Sequence, residues 1–399
     1  MKVLIADKLS DKAVSALRQL GMDVSVNPDL TADDLPGAID DFDILVVRST
    51  RVTARTIQSA KNLSLIIRAG AGVNTIDVSE ANLRGVYVAN CPGKNTEAVA
   101  ELAMGLIIAA DRQIVNAALS MREGRWKKKE FGKANGLKGR TLGIIGLGKI
   151  GMAVAQRAQA FEMKVIAWSR SLTPEKAESL GIGYASTLQE IAERSDVISV
   201  HVAYKKETHH LINSSFFFAM KQGAIFVNTS RGEVVDTSAL KSAIKEKKLR
   251  VGLDVFEDEP ATGEAPFNDT ELSSLVSATP HIGASTEQAA EAIADEVVTI
   301  VKAFQETGMP VNVVNVRTKS SANTSLVVRH FNKVGVLAAI LTKLKENGIN
   351  VEEMTNTIFE DSKAACCTML IDGSPSREAI AEMEKNENVI EILVKPLVQ

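Results

Sequence analysis

"TLGIIGLGKIG", residues 141–151, is the stretch on which the fold turns. An apolar run ends in Gly146, Gly148 and Gly151, spaced G-x-G-x-x-G, and "MAVAQRAQAF", residues 152–161, follows with the spacing of an amphipathic helix. In a strand–turn–helix each glycine has its own task. The first permits the tight turn, the second lets a pyrophosphate approach the backbone, and the third lets helix and strand pack closely, while the helix amino end attracts phosphate charge. The segment therefore reads as a dinucleotide site. About 20 residues further on, an acid is expected to hold the ribose hydroxyls of NAD. "VIAWSRS", residues 165–171, has Ser169 and Arg170 there instead. The forked donors of Arg170 suit a 2′-phosphate, so NADP stands beside NAD as the expected cofactor; the alternative is Arg170 in solvent, with NAD held by Ser169 and backbone.

Outward from this loop the chain keeps an α/β rhythm. "TLGIIG", "KVIAW", "DVISVHV", "AIFVNTS", "RVGLDVF" and "SATPHI" are strand candidates separated by helix candidates, which predicts a doubly wound sheet over residues 96–284. Upstream, "VLIA", "ILVV", "LIIR" and "VYVAN" alternate with segments such as "DKAVSALRQL", giving a second, smaller Rossmann-like unit over 1–95. Residues 97–121 are apolar on nearly all sides, as expected of one long buried connecting helix. The helical stretch "EQAAEAIADEVVTIVKAF" is long enough to cross back, so residues 285–315 are expected to complete the first domain, which is then discontinuous. "TKSSANTS", residues 318–325, reads as a linker. Residues 322–399 follow the order βαββαβ, a ferredoxin-like unit whose open sheet edges a second copy would cover.

Composition excludes several classes. With 399 residues, 45% apolar and 24% charged, and a net charge of −3, the chain is a multidomain globular protein rather than a nucleic-acid polyelectrolyte or a disordered tail. No window is long and apolar enough for a membrane span, and the opening apolar run breaks at Asp7, so the cytoplasm is the expected compartment. Cys91, Cys366 and Cys367 suit neither a disulfide framework nor a metal site, and no metal is expected.

Polar groups collect where the later strands should end: Arg231 in "VNTSRGEVVD", Asp254 and Glu259 in "GLDVFEDEP", and His281 in "TPHIGAST". Ligands of doubly wound sheets lie at the carboxyl ends of strands. With "RAGAGVNTID" and "GLGKIG" in the same order, these motifs resemble the D-isomer-specific 2-hydroxyacid dehydrogenases over essentially the whole chain, and the terminal unit is similar to an ACT domain. The resemblance implies that His281 takes the C2 hydroxyl proton as hydride leaves for the nicotinamide, with Glu259 paired to it and stabilising its protonated form. It implies that Arg231 grips the substrate carboxylate, that Lys149 and Ile150 surround the pyrophosphate, and that Asp254 and Thr229 lie at the nicotinamide.

The resemblance also implies a small phosphorylated hydroxy acid as substrate, with Arg48, Ser49, Arg68 and Gly70 in its pocket, Ala71 at the cleft beside the cofactor, and Asn95 at the crossing between domains. Hinge motion is expected near residues 95 and 284. Lys127, Lys128 and Lys129 either form a solvated face or reach the site of a neighbouring subunit. A glyoxylate or hydroxypyruvate reductase and a nucleotide-sensing corepressor share the scaffold and remain open alternatives. In the terminal unit His330, Asn332 and Asn350 match residues that bind serine across paired ACT domains, so an L-serine effector and a homodimer or homotetramer are expected. Side-chain amides suit an amino-acid ligand because they both donate and accept.

Overall fold

The computed structural model describes residues 1–260, 265–317 and 320–397. Thr318 and Lys319, which open the expected linker, and the last two residues of the expected terminal domain lie outside the described residues. The chain divides into two compact units, Met1–Asn315 and Val316–Gln399.

In the first unit, β1 (Lys2–Ile5), β2 (Asp23–Val26), β3 (Ile44–Val47), β4 (Leu65–Arg68) and β5 (Tyr87–Asn90) form a parallel sheet in the order β2-β1-β3-β4-β5. The side-chain period of two sorts its residues between two layers. Val3, Ile5, Ile44, Val46, Leu65 and Ile67 point to one face, and Leu4, Leu45, Val47 and Ile66 to the other. Such strands read as unbroken apolar runs because helices cover both faces. On the first face lie Ile293, Val297, Ile300 and Val301 of the helix Glu287–Thr307, so the segment expected to cross back does pack on this sheet. That helix starts where Thr286 accepts a hydrogen bond from the Ala289 N–H and stops at Gly308, whose φ of 72° only glycine adopts cheaply.

The second sheet is also parallel: β6 (Thr141–Ile145), β7 (Lys164–Trp168), β8 (Gly183–Tyr184), β9 (Val197–Val200), β10 (Ile225–Asn228), β11 (Arg250–Leu253) and β12 (Ser277–Ala278), in the order β12-β11-β10-β9-β6-β7-β8. Strand order reverses between β6 and β9, and the glycine loop lies at that switch point, where doubly wound sheets bind ligands. The sequence reading found six of these strands. It missed β8, whose two residues are too few to show a period.

The expected single helix over 97–121 is instead two, Thr96–Arg112 and Ile114–Arg122, broken at Gln113 with a left-handed φ of 51°. Just before the break, the buried Asp111 carboxylate accepts from the Gly136 N–H at 3.0 Å and from Arg140 at 3.1 Å. The first helix buries Ala103, Leu106, Ile107 and Ala110 on the second sheet, while Ile114, Leu119 and Met121 of the second stay exposed.

The second unit is antiparallel: β13 (Thr324–Phe331), β14 (Val351–Ile358), β15 (Ala364–Ile371) and β16 (Val389–Pro396), in the order β14-β15-β13-β16. Helices Val336–Glu346 and Arg377–Glu384 cover the face that carries Leu326, Val328, Cys367, Met369 and Ile371. This is the expected ferredoxin-like arrangement.

One buried group ties the second sheet to pH. His201, directly after β9, shares a 2.8 Å hydrogen bond through Nε2 with the Ser199 hydroxyl, its Nδ1 is buried without a partner among the described residues, and burial pushes its pKa down from 6.5 to about 4. The unfolded chain therefore binds the extra proton between those values, so this contribution to stability is complete above pH 6.5 and is lost as pH falls toward 4. Thermal midpoints measured across that window are expected to fall less steeply for His201→Gln than for the native chain.

Candidate active site

At the dinucleotide loop, Gly146 has a φ of 94° and a Cβ there would lie 2.6 Å from the His201 carbonyl oxygen; one at Gly151 would lie 2.2 Å from the Gly146 oxygen. Both glycines are demanded by the protein's own packing. A Cβ on Gly148, which precedes the helix Lys149–Ala160, would meet nothing within 4 Å. Packing leaves that approach open at the positive end of a helix dipole, the cradle a pyrophosphate requires. Ile150 is half-buried against the same layer. The Lys149 side chain crosses to Gly93, two residues before Asn95 and the connecting helix. The Thr229 hydroxyl, after β10, is buried without a partner among the described residues, Ser169 is half-buried, and Arg170 is exposed. These groups fit a dinucleotide and leave the NAD and NADP readings both open.

Three guanidinium groups converge at the ends of β3, β4 and β10. Burial pushes Arg68 down to about 10, and the positive charges of Arg231 and Arg48 push in the same direction. Its Nε is buried without a partner among the described residues. The glycines of "RAGAG" make the room: a Cβ at Gly70 would sit 1.6 Å from Arg68 Nη1, and one at Gly72 would sit 2.4 Å from Arg231 Nη2. Asn90 donates to the Ala71 carbonyl and holds this loop down. Arg48 and Ser49 are set by Asp7, whose carboxylate accepts from the N–H groups of Arg48 (2.7 Å), Ser49 (3.1 Å) and Thr50 (3.1 Å). Cations packed this closely repel one another, and an arriving anion relieves that repulsion.

The imidazole of His281 meets Glu259 with 2.6 Å between Nδ1 and Oε2. Burial alone would raise the Glu259 pKa, but the His281 hydrogen bond and charge, the Phe256 N–H and Arg231 together outweigh it and hold the carboxyl below its usual range. Glu259 is therefore ionised near neutrality and can only accept, so His281 Nδ1 carries the proton and Nε2 is left as the base. His281 is also in the left-handed region, with a φ of 53°. That conformation costs an ordinary residue about 1–2 kcal/mol. The buried Asp254 offsets it: its carboxylate accepts from the Thr279 hydroxyl (2.6 Å) and from the N–H groups of Ile282 (2.8 Å) and Gly283 (2.9 Å), and its carbonyl accepts from the His281 N–H (2.8 Å). Asp254, expected to face a carboxamide, thus holds the turn that presents the imidazole.

Some of these supports were not foreseen. Asn228 donates to the Arg231 carbonyl and accepts from the Ser230 hydroxyl and N–H, and Asp7 does similar work for Arg48. Asn228 ends β10 and Asp7 lies just after β1, and position at a strand end was the available signal. Lys127 pairs with Glu130, and Arg125 with Glu123, beside a cavity of 270 Å³ lined by Ala117, Met121, Trp126 and Phe131. Within one copy, this segment does not join the arginine cluster among the described residues. In the second unit His330 is buried, with Nδ1 2.8 Å from the Phe331 carbonyl and Nε2 3.3 Å from Asn356 Oδ1. Asn332 donates to the Ser362 carbonyl, and the Asn350 N–H donates to Asp372. Among the described residues no hydrogen bond joins His330, Asn332 and Asn350.

Comparison with known proteins places the chain in a family. Residues 104–283 match the family described as D-isomer specific 2-hydroxyacid dehydrogenase, NAD binding domain. A D-3-phosphoglycerate dehydrogenase of Archaeoglobus fulgidus is 42% identical over 322 residues, which are 79% of this chain and 59% of that protein, so the chain spans about three-fifths of that relative's length. A hydroxypyruvate reductase of Thermotoga maritima is 43% identical over 77% of this chain and 99% of its own. The crystal structure of the TT0316 protein from Thermus thermophilus superposes with a TM-score of 0.70 at 36% identity, covering 79% of this chain and all of that one.

The contact between Gly72 and Arg231 yields a direct test. Gly72→Ala is expected to displace the Arg231 guanidinium and raise the KM of an anionic substrate by about tenfold or more, the loss of roughly one charge-assisted hydrogen bond. Affinity for dinucleotide, measured by fluorescence titration, should stay near the native value.

Proposed function

The chain belongs to the D-isomer specific 2-hydroxyacid dehydrogenases, and on that premise we propose that it oxidises D-3-phosphoglycerate to 3-phosphohydroxypyruvate with NAD(P), the first step of the phosphorylated route to L-serine. The observation that carries the choice of substrate is the convergence of Arg48, Arg68 and Arg231 around an unpartnered buried Nε. A lone carboxylate needs one fork, whereas a phosphate brings nearly two further charges and several acceptor oxygens.

The chemistry follows from where the groups stand. Arg231 binds the substrate carboxylate and draws electron density from the C2 oxygen. His281 Nε2 accepts the C2 hydroxyl proton, and Glu259, bonded to Nδ1, stabilises the imidazolium that results. The turn fixed by Asp254 keeps the ring from rotating away, and the proton leaves to solvent across the half-exposed imidazole. A bound nicotinamide supplies the acceptor for the two electrons; Gly146, Gly148, Lys149, Ile150 and Gly151 would hold its pyrophosphate, and Thr229 would lie beside its ring.

Supporting the regulatory part of this reading, His330, Asn332 and Asn350 occupy a separate βαββαβ unit, where two copies would have to combine to bring them onto one serine. The exposed apolar surface of Ile114, Leu119 and Met121 favours a homo-oligomer. The free thiols Cys91, Cys366 and Cys367 suit the cytoplasm. A second reading, hydroxypyruvate reductase, is favoured by the Thermotoga relative, which this chain matches over nearly all its length.

One absorbance assay at the reduced nicotinamide band separates the readings. 3-Phosphoglycerate with either dinucleotide is expected to be turned over, Arg48→Ala should raise its KM by about tenfold or more, and glycerate should be a poor substrate for both proteins. Equal use of phosphorylated and unphosphorylated acids, indifferent to Arg48, would favour the reductase. Arg170→Asp in the same assay reads the cofactor preference, and added L-serine reads the regulation.

A further inference from the structure

The site contains a second imidazole–carboxylate pair that no step above uses. His210 Nε2 lies 2.5 Å from Glu257 Oε1, two residues along the chain from Glu259. β9, β10 and β11 are neighbours, and the loop after each reaches this pair. From the β9 side, residues 208–212 run beside the β10 loop: the His210 N–H donates to the Glu233 carbonyl (2.9 Å), the Ile212 N–H to Val234 (3.0 Å), and the Asp236 N–H returns to Ile212 (3.0 Å). His210 takes a left-handed φ of 49°, and the His209 ring stacks on it at 4.0 Å. From the β11 side, Glu257 accepts from His210 through one oxygen and from the Thr237 N–H (3.3 Å), at the start of the helix that follows the Arg231 loop, through the other.

The backbones between these points touch. A Cβ at Gly232 would lie 1.9 Å from the Phe256 carbonyl carbon and 2.4 Å from the Glu257 nitrogen. The Phe256 N–H in turn donates to Glu259 at 3.0 Å. A shift of Glu257 therefore presses on Gly232, next to Arg231, and on the N–H that holds Glu259. An isolated half-exposed imidazole–carboxylate contact contributes little to stability. This one ties the loop after β9 to the loop after β11, and the His210 N–H on Glu233 and the Thr237 N–H on Glu257 carry that tie to the Arg231 loop between them, where a misplacement of about 1 Å can cost a hundredfold in rate.

We propose that His210 and Glu257 are positioning residues that lock the Arg231 loop to the Glu259 loop and so set the distance between the carboxylate grip and the proton acceptor. The inference rests on the catalytic reading above. Glu257→Gln and His210→Gln keep shape while weakening the charged bond, and each is expected to lower kcat/KM for the hydroxy acid by about tenfold. KM for the dinucleotide should change less than about twofold, and the double variant should be no worse than either single one, as for groups that act as a unit.

Hydrogen–deuterium exchange needs no substrate and keeps the two readings apart. Amides of residues 231–237 and 256–259 should exchange faster in Glu257→Gln while those of β1 to β5 are unchanged. Native exchange in both loops would overturn the positioning pair whatever the activity, and so would native kinetics in a folded His210→Gln protein. A native chain that oxidises no hydroxy acid would overturn the catalytic reading instead, leaving the exchange result to decide the pair.

Discussion

The bond between Glu259 Oε2 and His281 Nδ1 is the contact on which the proposed chemistry rests, because it leaves Nε2 as the ring nitrogen able to accept a proton. It forms only if two loops from different strands arrive together. Glu259 comes from the loop after β11, and His281 from a turn after β12 whose φ of 53° an ordinary residue adopts reluctantly. Asp254 resolves that cost by accepting three hydrogen bonds from the turn while itself buried at the end of β11. Local strain at the base is thus supported by charge-assisted bonds from the strand that also carries its partner, which is how functional sites keep conformations that an isolated loop would abandon.

The substrate side is organised by the opposite sign of charge. Arg68, Arg231 and Arg48 repel one another, and the cluster persists because packing constrains it: Gly70 and Gly72 leave space for two guanidinium groups, Asp7 fixes the Arg48 backbone, and Asn228 fixes that of Arg231. An anion entering such a site meets donors already held in place, so little conformational freedom is lost on binding. The imidazole and the cations lie at the carboxyl ends of strands of the two parallel sheets, where such folds bind ligands.

Much of this was legible in the residues, and the reason is local. "TLGIIGLGKIG" showed its turn because each glycine answers a separate steric demand, two of them visible as clashes under 3 Å. Unbroken runs such as "ILVV" and "IFVN" announced parallel strands buried on both faces. Arg231, Glu259 and His281 could be picked out because each lies at or just beyond the end of a strand candidate. What stayed hidden depends on contacts distant in sequence. Asp7 reaches residues 48–50, Asp111 reaches Arg140, and His210 reaches Glu257; no periodicity encodes such pairs. The break at Gln113 was missed because apolar helix-like sequence resumes directly after it, and the turn is made by backbone conformation rather than by glycine or proline. The three donors that meet Asp254 were hidden in the same way, because sequence shows a carboxylate at a strand end but not what approaches it.

The most direct measurement is the tautomer of His281, read by nitrogen chemical shifts in protein labelled at its histidine rings, with His281→Gln used to assign the signal. The account predicts a neutral ring protonated at Nδ1 and bare at Nε2, and a loss of that preference in Glu259→Gln. A neutral ring carrying its proton at Nε2 in the native protein would contradict it, since the nitrogen facing the substrate could then accept nothing.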